Sequence, residues 1–137
     1  MLTSFFGKSK PGNGILIALF MSVFFFLANF EELFLGFNLA VFLEKTAVFL
    51  AYLISAYVLN FIAKKNELTR RSAYKFLFFA VFTASFWELL ENTQVIFSNL
   101  LVLFALRRII SLRSKKVMQK KIFDATFWIC LASIFYF

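Results

Sequence analysis

The stretch RRIISLRSKKVMQKK, Arg107–Lys121, carries seven basic residues and no acid, although it lies between two strongly apolar stretches. One apolar stretch runs from Gln94 to Leu106 and the other from Ile122 to Phe137. Basic residues in short loops hold those loops on the cytoplasmic side of a membrane. The stretch therefore predicts that the chain crosses a membrane once before it and once after it.

The composition of the whole chain agrees with this interpretation. Hydrophobic residues make up 62% of the 137 residues, and the mean hydropathy is +0.84. A soluble domain has roughly 45–50% apolar residues and buries roughly 60–70% of the surface of its unfolded chain. A water-soluble fold would leave large apolar patches exposed, so lipid is the expected solvent.

Charge and residue usage argue against several functional classes. The net charge of +8 is typical of nucleic-acid binding, but the basic residues lie in clusters between apolar runs, so we expect no nucleic-acid partner. The sequence has no His, and Cys130 is its single cysteine, which removes the commonest general base and metal ligand and any intrachain disulfide. Carboxylates alone remain as metal ligands. We see no catalytic constellation and predict no cofactor and no metal site. Whether the chain is an enzyme stays open, and we favour a non-enzymatic role.

Apolar runs define the predicted spans. They lie near residues 14–30, 46–63, 73–90, 92–108 and 122–137. A membrane-spanning helix needs about 20 residues, and flanking Lys and Arg side chains can snorkel to the interface. The predicted fold is therefore all-α, a single polytopic helical bundle of about five transmembrane helices over residues 1–137.

The basic residues also predict the orientation of these spans. With the N-terminus in the cytoplasm, 14 of the 15 basic residues fall inside and Lys45 alone falls outside. The inside set consists of Lys8, Lys10, Lys64, Lys65, Arg70, Arg71, Lys75 and the seven basic residues of Arg107–Lys121. Such a bias predicts a cytoplasmic N-terminus.

The basic stretch has two possible roles. Clusters of four to eight Lys and Arg residues attract anionic lipids at about 1 kcal/mol each, which would make the stretch a lipid-headgroup site. The candidate headgroup residues are Arg107, Arg108, Arg113, Lys115, Lys116, Lys120 and Lys121. The alternative, which we favour, is a topology anchor with incidental headgroup contact.

Four acids are the candidates for chemistry at the opposite, outer side: Glu31, Glu32, Glu88 and Glu91. Paired carboxylates can transfer protons when their environments separate their pKa values. The alternative, which we favour, is that they mark solvated helix ends, because no basic residue is expected inside the spans near them. On the cytoplasmic side, the three-residue spacing of Lys121 and Asp124 predicts an ion pair within one helix.

Small and polar residues at helical spacing predict the packing faces. The predicted faces are Gly14, Ala18, Ser22 and Asn29 in span one; Thr46, Tyr57, Asn60 and Lys64 in span two; Ala73, Ala80, Thr83, Ala84 and Trp87 in span three; and Gln94, Ser98 and Ala105 in span four. Phe78, Phe79, Phe82 and Phe86 are expected to face lipid. The apolar segment Leu33–Leu43 is too short to cross and is expected to lie at the outer interface.

Three segments carry a resemblance to a known group of proteins: SFFGKSKP at Ser4–Pro11, LRRIISLRS at Leu106–Ser114, and KKIFDATFWICLASIFYF at Lys120–Phe137. Together they resemble an uncharacterised family of polytopic inner-membrane proteins of Gram-negative bacteria. The resemblance implies a bacterial inner-membrane location and further spans beyond Phe137, and it implies no activity or catalytic residue. The apolar run that ends at Phe137 without a polar flank likewise leads us to expect that the chain is the N-terminal part of a longer protein.

The expected function is a non-enzymatic scaffold or accessory subunit of an envelope complex. Its partners would be membrane lipids and other membrane-protein helices, which the small-residue faces would contact. The alternative is a transporter or a carrier-lipid-handling enzyme that uses the basic cytoplasmic face to hold a phosphate.

The predicted orientation can be tested with single cysteines at Asn92 and Ser111 in a Cys130→Ser background. A membrane-impermeant thiol reagent applied to intact spheroplasts should label the cysteine at position 92 and spare the cysteine at position 111, because only the first lies outside. Labelling at position 111 in intact spheroplasts would reverse the assignment. Labelling of both positions after lysis is the control for accessibility.

Overall fold

The computed structural model describes residues 11–35, 38–66, 73–114 and 117–136, and these residues form helices and turns without a β-strand. The helices are α1 (Pro11–Ala28), α2 (Leu39–Lys65), α3 (Tyr74–Ser85), α4 (Trp87–Glu91), α5 (Thr93–Ile110) and α6 (Met118–Tyr136). A π-helical turn at Glu31–Leu35 follows α1, and a 3-10 turn at Ser111–Ser114 follows α5. The all-α prediction is confirmed for these residues.

Two of the described helices are long and apolar enough to cross a membrane. One is α2, and the other is the 21-residue segment Thr93–Arg113 that contains α5. Most of α1, from Gly12 to Ala28, and all of α3 are apolar but shorter. Helix α6 has 19 residues, but charged residues occupy its first two turns.

Helix α2 begins seven residues before the predicted start of span two. The Oδ1 atom of Asn38 accepts a hydrogen bond from the backbone N–H of Ala40 at 3.0 Å, which is an N-cap that satisfies a free donor of the first turn. The predicted interfacial segment is therefore divided. Residues 33–35 belong to the π-helical turn, residues 36 and 37 lie outside the described residues, and residues 39–43 open α2.

The predicted third span is broken at Phe86, where the backbone leaves helical geometry with ψ of 84°. Just before the break, the hydroxyl of Thr83 donates to the carbonyl of Phe79 at 2.9 Å, and that of Ser85 donates to the carbonyl of Val81 at 2.8 Å. Hydroxyl bonds to the preceding turn bend helices, and these are the physical reason we assign to the break. A second interruption at Asn92 caps α5, because its side chain accepts from the N–H groups of Gln94 and Val95.

Contacts between helix ends give the direction of each helix. The start of α2 meets the start of α5 through Glu44 and Thr93, and the end of α2 meets the end of α5 through Phe61 and Arg107. Helix α6 returns along α5, since Ser98 donates to the carbonyl of Ala132 near its far end. Helices α1 and α3 run together, opposite to α2. Thus α1, α3 and α6 run one way, and α2 and α5 run the other way.

The main core lies among α1, α2 and α3, with single contributions from α4 and α5. Its buried members are Ile17, Met21, Phe25, Val48, Ala51, Tyr52, Ala56, Ala73, Phe76, Ala80, Leu90 and Ile96. Helix α2 is central because it contacts α1, α3, α5 and the π-helical turn. Helix α6 packs most extensively on α5, forming an antiparallel hairpin beside this core.

The packing faces were predicted correctly for most of the residues of α3 and for fewer of those in the other helices. In α3, Ala73 and Ala80 are buried while Phe78, Phe82 and Phe86 are exposed, but Phe79 packs against the core and Trp87 is exposed. In α1 the buried row is Asn13, Ile17, Met21, Phe25 and Asn29, and the small residues Gly14, Ala18 and Ser22 lie half-buried beside it.

The predicted polar line of span two was wrong for three of its four residues. Thr46, Tyr57 and Lys64 are exposed and Asn60 is half-buried, while the buried polar residues of α2 are Lys45 and Ser55. In α5, Ser98 and Ala105 pack as expected while Gln94 is exposed. Large apolar side chains, rather than small ones alone, fill the contacts of α1 and α2. The spacing of small residues alone therefore does not identify the buried face of these two helices, because large apolar side chains also pack there.

Replacing Ala80 and Ala84 with Leu should lower the thermal unfolding midpoint of the detergent-purified protein. Ala80 is fully buried and Ala84 half-buried, so added methylenes overpack the interface between α3 and its neighbours, at about 1–3 kcal/mol for a buried site. The exposed pair Phe78 and Phe82, changed to Leu, is the control and should leave the midpoint nearly unchanged. Equal shifts for both pairs would contradict this division of α3 into two faces.

Candidate functional site

Lys45 occupies the centre of a polar cluster at the end of the bundle where α2 begins. Its Nζ atom lies 2.9 Å from Oε2 of Glu32 and donates to the backbone carbonyl of Glu91 at 3.3 Å. The side chain of Lys45 is only 6% exposed, whereas that of Glu32 is 58% exposed. A single ammonium group therefore joins the π-helical turn, α2 and α4, and the carboxylate of the ion pair remains open to the surroundings.

Asn29 makes a second link across the same end. Its Nδ2 atom donates to the carbonyl of Phe25 at 3.0 Å and to the carbonyl of Leu90 at 3.1 Å, so α1 is tied to α4. The carbonyl of Phe25 also accepts from the backbone N–H of Asn29, whereas the carbonyl of Leu90 lies near the end of α4, where helix carbonyls lack a partner within the helix. The Oδ1 atom of Asn29 is buried and has no hydrogen-bond partner among the described residues.

The four predicted outer acids lie at this end but do not form one cluster. Glu32 is paired with Lys45, and Glu91 takes part through its backbone carbonyl. Glu31 and Glu88 are exposed. The expectation that these acids have no basic partner was wrong for Glu32, because the early start of α2 places Lys45 inside a helix and not in a loop.

No group of three acidic or cysteine side chains in the described parts of the chain could hold a metal ion. Cys130 is exposed on α6 and belongs to no disulfide. The polar cluster at Lys45 is thus an arrangement of one ammonium, one carboxylate and backbone carbonyls. Such an arrangement can hold helix ends together. It can also bind or release an ion or a proton at the exposed carboxylate of Glu32.

Behind α4 lies a cavity of about 270 Å³ with mostly apolar walls. Its apolar lining consists of Phe79, Phe82, Leu89, Leu90, Val95 and Ile96. Three polar side chains also face it: Tyr52 and Thr83, whose hydroxyls are hydrogen-bonded to each other, and Asn99. The break at Phe86 opens this space because α3 stops short of the end that α2 and α5 reach.

The basic residues of the predicted headgroup site collect at the opposite end, where α2 and α5 terminate. Arg107 and Arg108 lie in the last turn of α5, and Arg113 lies in the 3-10 turn. Lys120 and Lys121 lie at the start of α6. Lys115 and Lys116 lie outside the described residues. Helix C-termini carry partial negative charge, so basic side chains in the last turns of α2 and α5 also stabilise those helices.

Two members of this set are bound to other parts of the chain. Arg108 forms a salt bridge with Asp124 at 3.1 Å, and Lys121 donates to the carbonyl of Ser111 at 2.7 Å. The ion pair of Asp124 therefore links α5 to α6, whereas we predicted an ion pair within α6. Antiparallel packing of the hairpin brings Arg108 to Asp124, and helical spacing alone does not reveal that contact.

Arg107 is arranged differently. Its guanidinium carbon lies 5.1 Å from the centre of the Phe61 ring, and Nζ of Lys65 lies 5.7 Å from the centre of the same ring. Distances of this size are typical of cation–π contacts. Lys65 was predicted to lie on the cytoplasmic side but not to belong to the headgroup site. Its position in the last turn of α2 would have indicated that it belongs to the same basic site as Arg107, but only with the knowledge that α5 ends beside α2.

Comparisons of this chain with protein-family models, with curated proteins and with solved structures give no match. The resemblance to bacterial inner-membrane proteins therefore stays a prediction, and the function rests on the arrangement of the residues themselves.

Replacing Lys45 with Met should lower the thermal unfolding midpoint of the detergent-purified protein. The change leaves Glu32 and the Glu91 carbonyl without their donor, and hydrogen bonds to a charged group contribute about 1.5–3 kcal/mol, toward the lower end here because Glu32 is largely exposed. Lys64→Met, an exposed lysine on the same helix, is the control and should have little effect. If the two variants melt together, Lys45 does not hold the helix ends.

Proposed function

We propose that this chain is a multi-span protein of the bacterial inner membrane, with five membrane-crossing segments and a cytoplasmic N-terminus. Support comes from the sorting of charge between the two ends of the bundle. Glu31, Glu32, Glu88 and Glu91 lie at one end, while the basic residues of α2, α5 and α6 described above lie at the other. The alternating directions of α1, α2, α3, α5 and α6 are those that five successive crossings require.

Within this placement, the short helices need an explanation. The 12 residues of α3 rise about 18 Å, and α4 extends the same segment toward the acidic end. Irregular backbone at membrane depth is tolerated where protein buries it or where it borders a cavity. The break at Phe86 is flanked along the chain by Phe82 and Thr83 before it and by Leu89 and Leu90 after it, and all four line the cavity behind α4.

We further propose that the protein acts as a helix-packing scaffold or accessory subunit of an envelope complex. The observation that carries this proposal is on α6. Ala125 and Ala132 face α5 and are buried, whereas Thr126, Cys130 and Ser133 form an exposed row on the opposite side of the helix. Both hydroxyls of this row donate back to carbonyls of their own helix. The side chains of the row are therefore small, and their hydroxyl groups already have hydrogen-bond partners within α6. Another helix can approach such a surface closely in lipid.

The cluster at Lys45 favours a second candidate function, that of a transporter or a carrier-lipid-handling enzyme. Charged residues within membrane segments commonly mark ion or substrate pathways. Lys45 is buried in α2, and its partner Glu32 is accessible from the acidic end. If Glu32→Gln abolished the protein's cellular role while the topology and the unfolding midpoint of the same variant were retained, this candidate would replace the scaffold proposal.

The scaffold proposal predicts a change in assembly when the row on α6 is filled. Thr126, Cys130 and Ser133 changed together to Leu should shift the protein, extracted from native membranes in mild detergent, from a larger complex toward its 16.0 kDa monomer on a native gel. The added side chains prevent close approach of a partner helix. Ala47→Leu, a similar enlargement at an exposed position of α2, is the control and should leave the complex unchanged. A wild-type protein that migrates as a monomer would overturn the scaffold proposal.

A further inference from the structure

We infer that the groove along the C-terminal half of α2 binds one anionic phospholipid of the cytoplasmic leaflet. The groove has a volume of about 370 Å³ and is lined by Ile54, Tyr57, Val58, Phe61 and Arg107. Its walls are apolar except at one end, where Arg107 and Lys65 converge on the Phe61 ring. An apolar channel that ends in two cations has the chemistry of an acyl chain attached to a phosphate.

The length of the groove fits an acyl chain. Ile54, Val58, Phe61 and Lys65 are spaced by four, three and four residues, so they lie on one face of α2. From Ile54 in the groove to Lys65, which lies one turn beyond the last lining residue of α2, the helix rises about 16 Å. This distance from chain to headgroup charge is about half the roughly 30 Å thickness of a hydrocarbon core. Ile54 and Phe61 are each 45% exposed, so the face is open along its length.

The charges of the groove are available to a ligand, unlike those of Arg108 and Lys121. Arg108 is paired with Asp124 and Lys121 is bonded to Ser111, whereas neither Arg107 nor Lys65 has a carboxylate partner within the described residues. A guanidinium group can bind a phosphate with two parallel hydrogen bonds, and an ammonium group adds a second charge. At the basic end, Arg108 and Lys121 thus hold the hairpin together, whereas Arg107 and Lys65 lie at the end of an apolar groove.

This inference rests on the proposed membrane placement, which brings the basic end of the groove to the cytoplasmic interface. It is independent of the scaffold proposal, since the groove lies on α2 and the proposed partner row lies on α6. A free phosphate and a lipid phosphate share the same chemistry at Arg107, and the groove distinguishes them because only a lipid fills it.

The test uses the full chain, delipidated in detergent and titrated with phosphatidylglycerol, with phosphatidylcholine of the same acyl chains, or with inorganic phosphate. Native mass spectrometry reads the occupancy. We expect saturable binding of phosphatidylglycerol, with phosphatidylcholine and inorganic phosphate each bound about tenfold more weakly or less. Inorganic phosphate that binds as tightly as phosphatidylglycerol would overturn the assignment to a lipid.

Two pairs of variants with equal net charge separate a built site from general attraction. Lys65→Gln with Arg107→Gln should weaken phosphatidylglycerol binding about tenfold, because each basic residue adds substantially to the attraction of an anionic lipid. Lys64→Gln with Arg113→Gln, at exposed positions of the same end, should leave it within about twofold. Equal weakening by both pairs, or no weakening by the first, would overturn the inference. Lys65→Arg with Arg107→Lys should bind nearly as well as the original protein, which shows that charge is responsible.

The apolar part of the site has its own matched control. Val58→Phe fills the groove and should weaken phosphatidylglycerol binding, whereas Val102→Phe, at an exposed position of α5 outside the groove, should not. Unchanged binding by the Val58 variant would show that no acyl chain lies there. The thiol labelling at Asn92 and Ser111 reports the membrane placement separately, so a wrong placement and an absent lipid site give different results.

Discussion

One buried ammonium group connects the helix ends on which the rest of the bundle depends. Lys45 binds Glu32 from the turn after α1 and the backbone carbonyl of Glu91 at the end of α4. Removing an ammonium group from water is costly, and the cost is offset here because a carboxylate and a carbonyl replace the lost water. This requirement places the ends of α1, α2 and α4 beside one another, and Asn29 reinforces the same junction through the carbonyl of Leu90.

The arrangement of the other helices can be described from that junction. Helix α2 extends from Lys45 for the full length of the bundle, packing against α1 and α3 on one side and α5 on the other. Helix α3 is interrupted at Phe86, and Leu89 and Leu90 of the following helix α4 line a cavity beside it. At the far end, α2 and α5 terminate together, and their last turns bring Lys65 and Arg107 to one aromatic ring. Helix α2 thus runs from the acidic end of the bundle to the basic end.

Much of this arrangement could be predicted from the sequence, and the failures have identifiable causes. The exposed phenylalanines of α3 and the buried Ala80 follow from helical spacing, which places small and large residues on different sides. The early start of α2 was missed because an N-cap at Asn38 was not recognised within an apolar segment. The break at Phe86 was missed because Thr83 was treated as a packing residue and Ser85 was not considered, although hydroxyls at these positions can bend a helix. Each missed feature depends on side-chain hydrogen bonds to the backbone, and these do not alter hydrophobic periodicity.

The amino-acid sequence by itself determined the helical class, the apolar character and the separation of basic from acidic segments, because these depend on composition and local spacing. It also named most of the residues at both ends of the bundle. Only the tertiary structure decided their partners. Lys45 and Glu91 are 46 positions apart and meet because α3 and α4 bring the chain back to the end of the bundle where α2 begins. Arg107 and Lys65 are 42 positions apart and meet because α2 and α5 run in the same direction. Contacts between helices depend on how whole helices pack. The local sequence pattern indicates which face of a helix is apolar, but it does not indicate which other helix that face contacts.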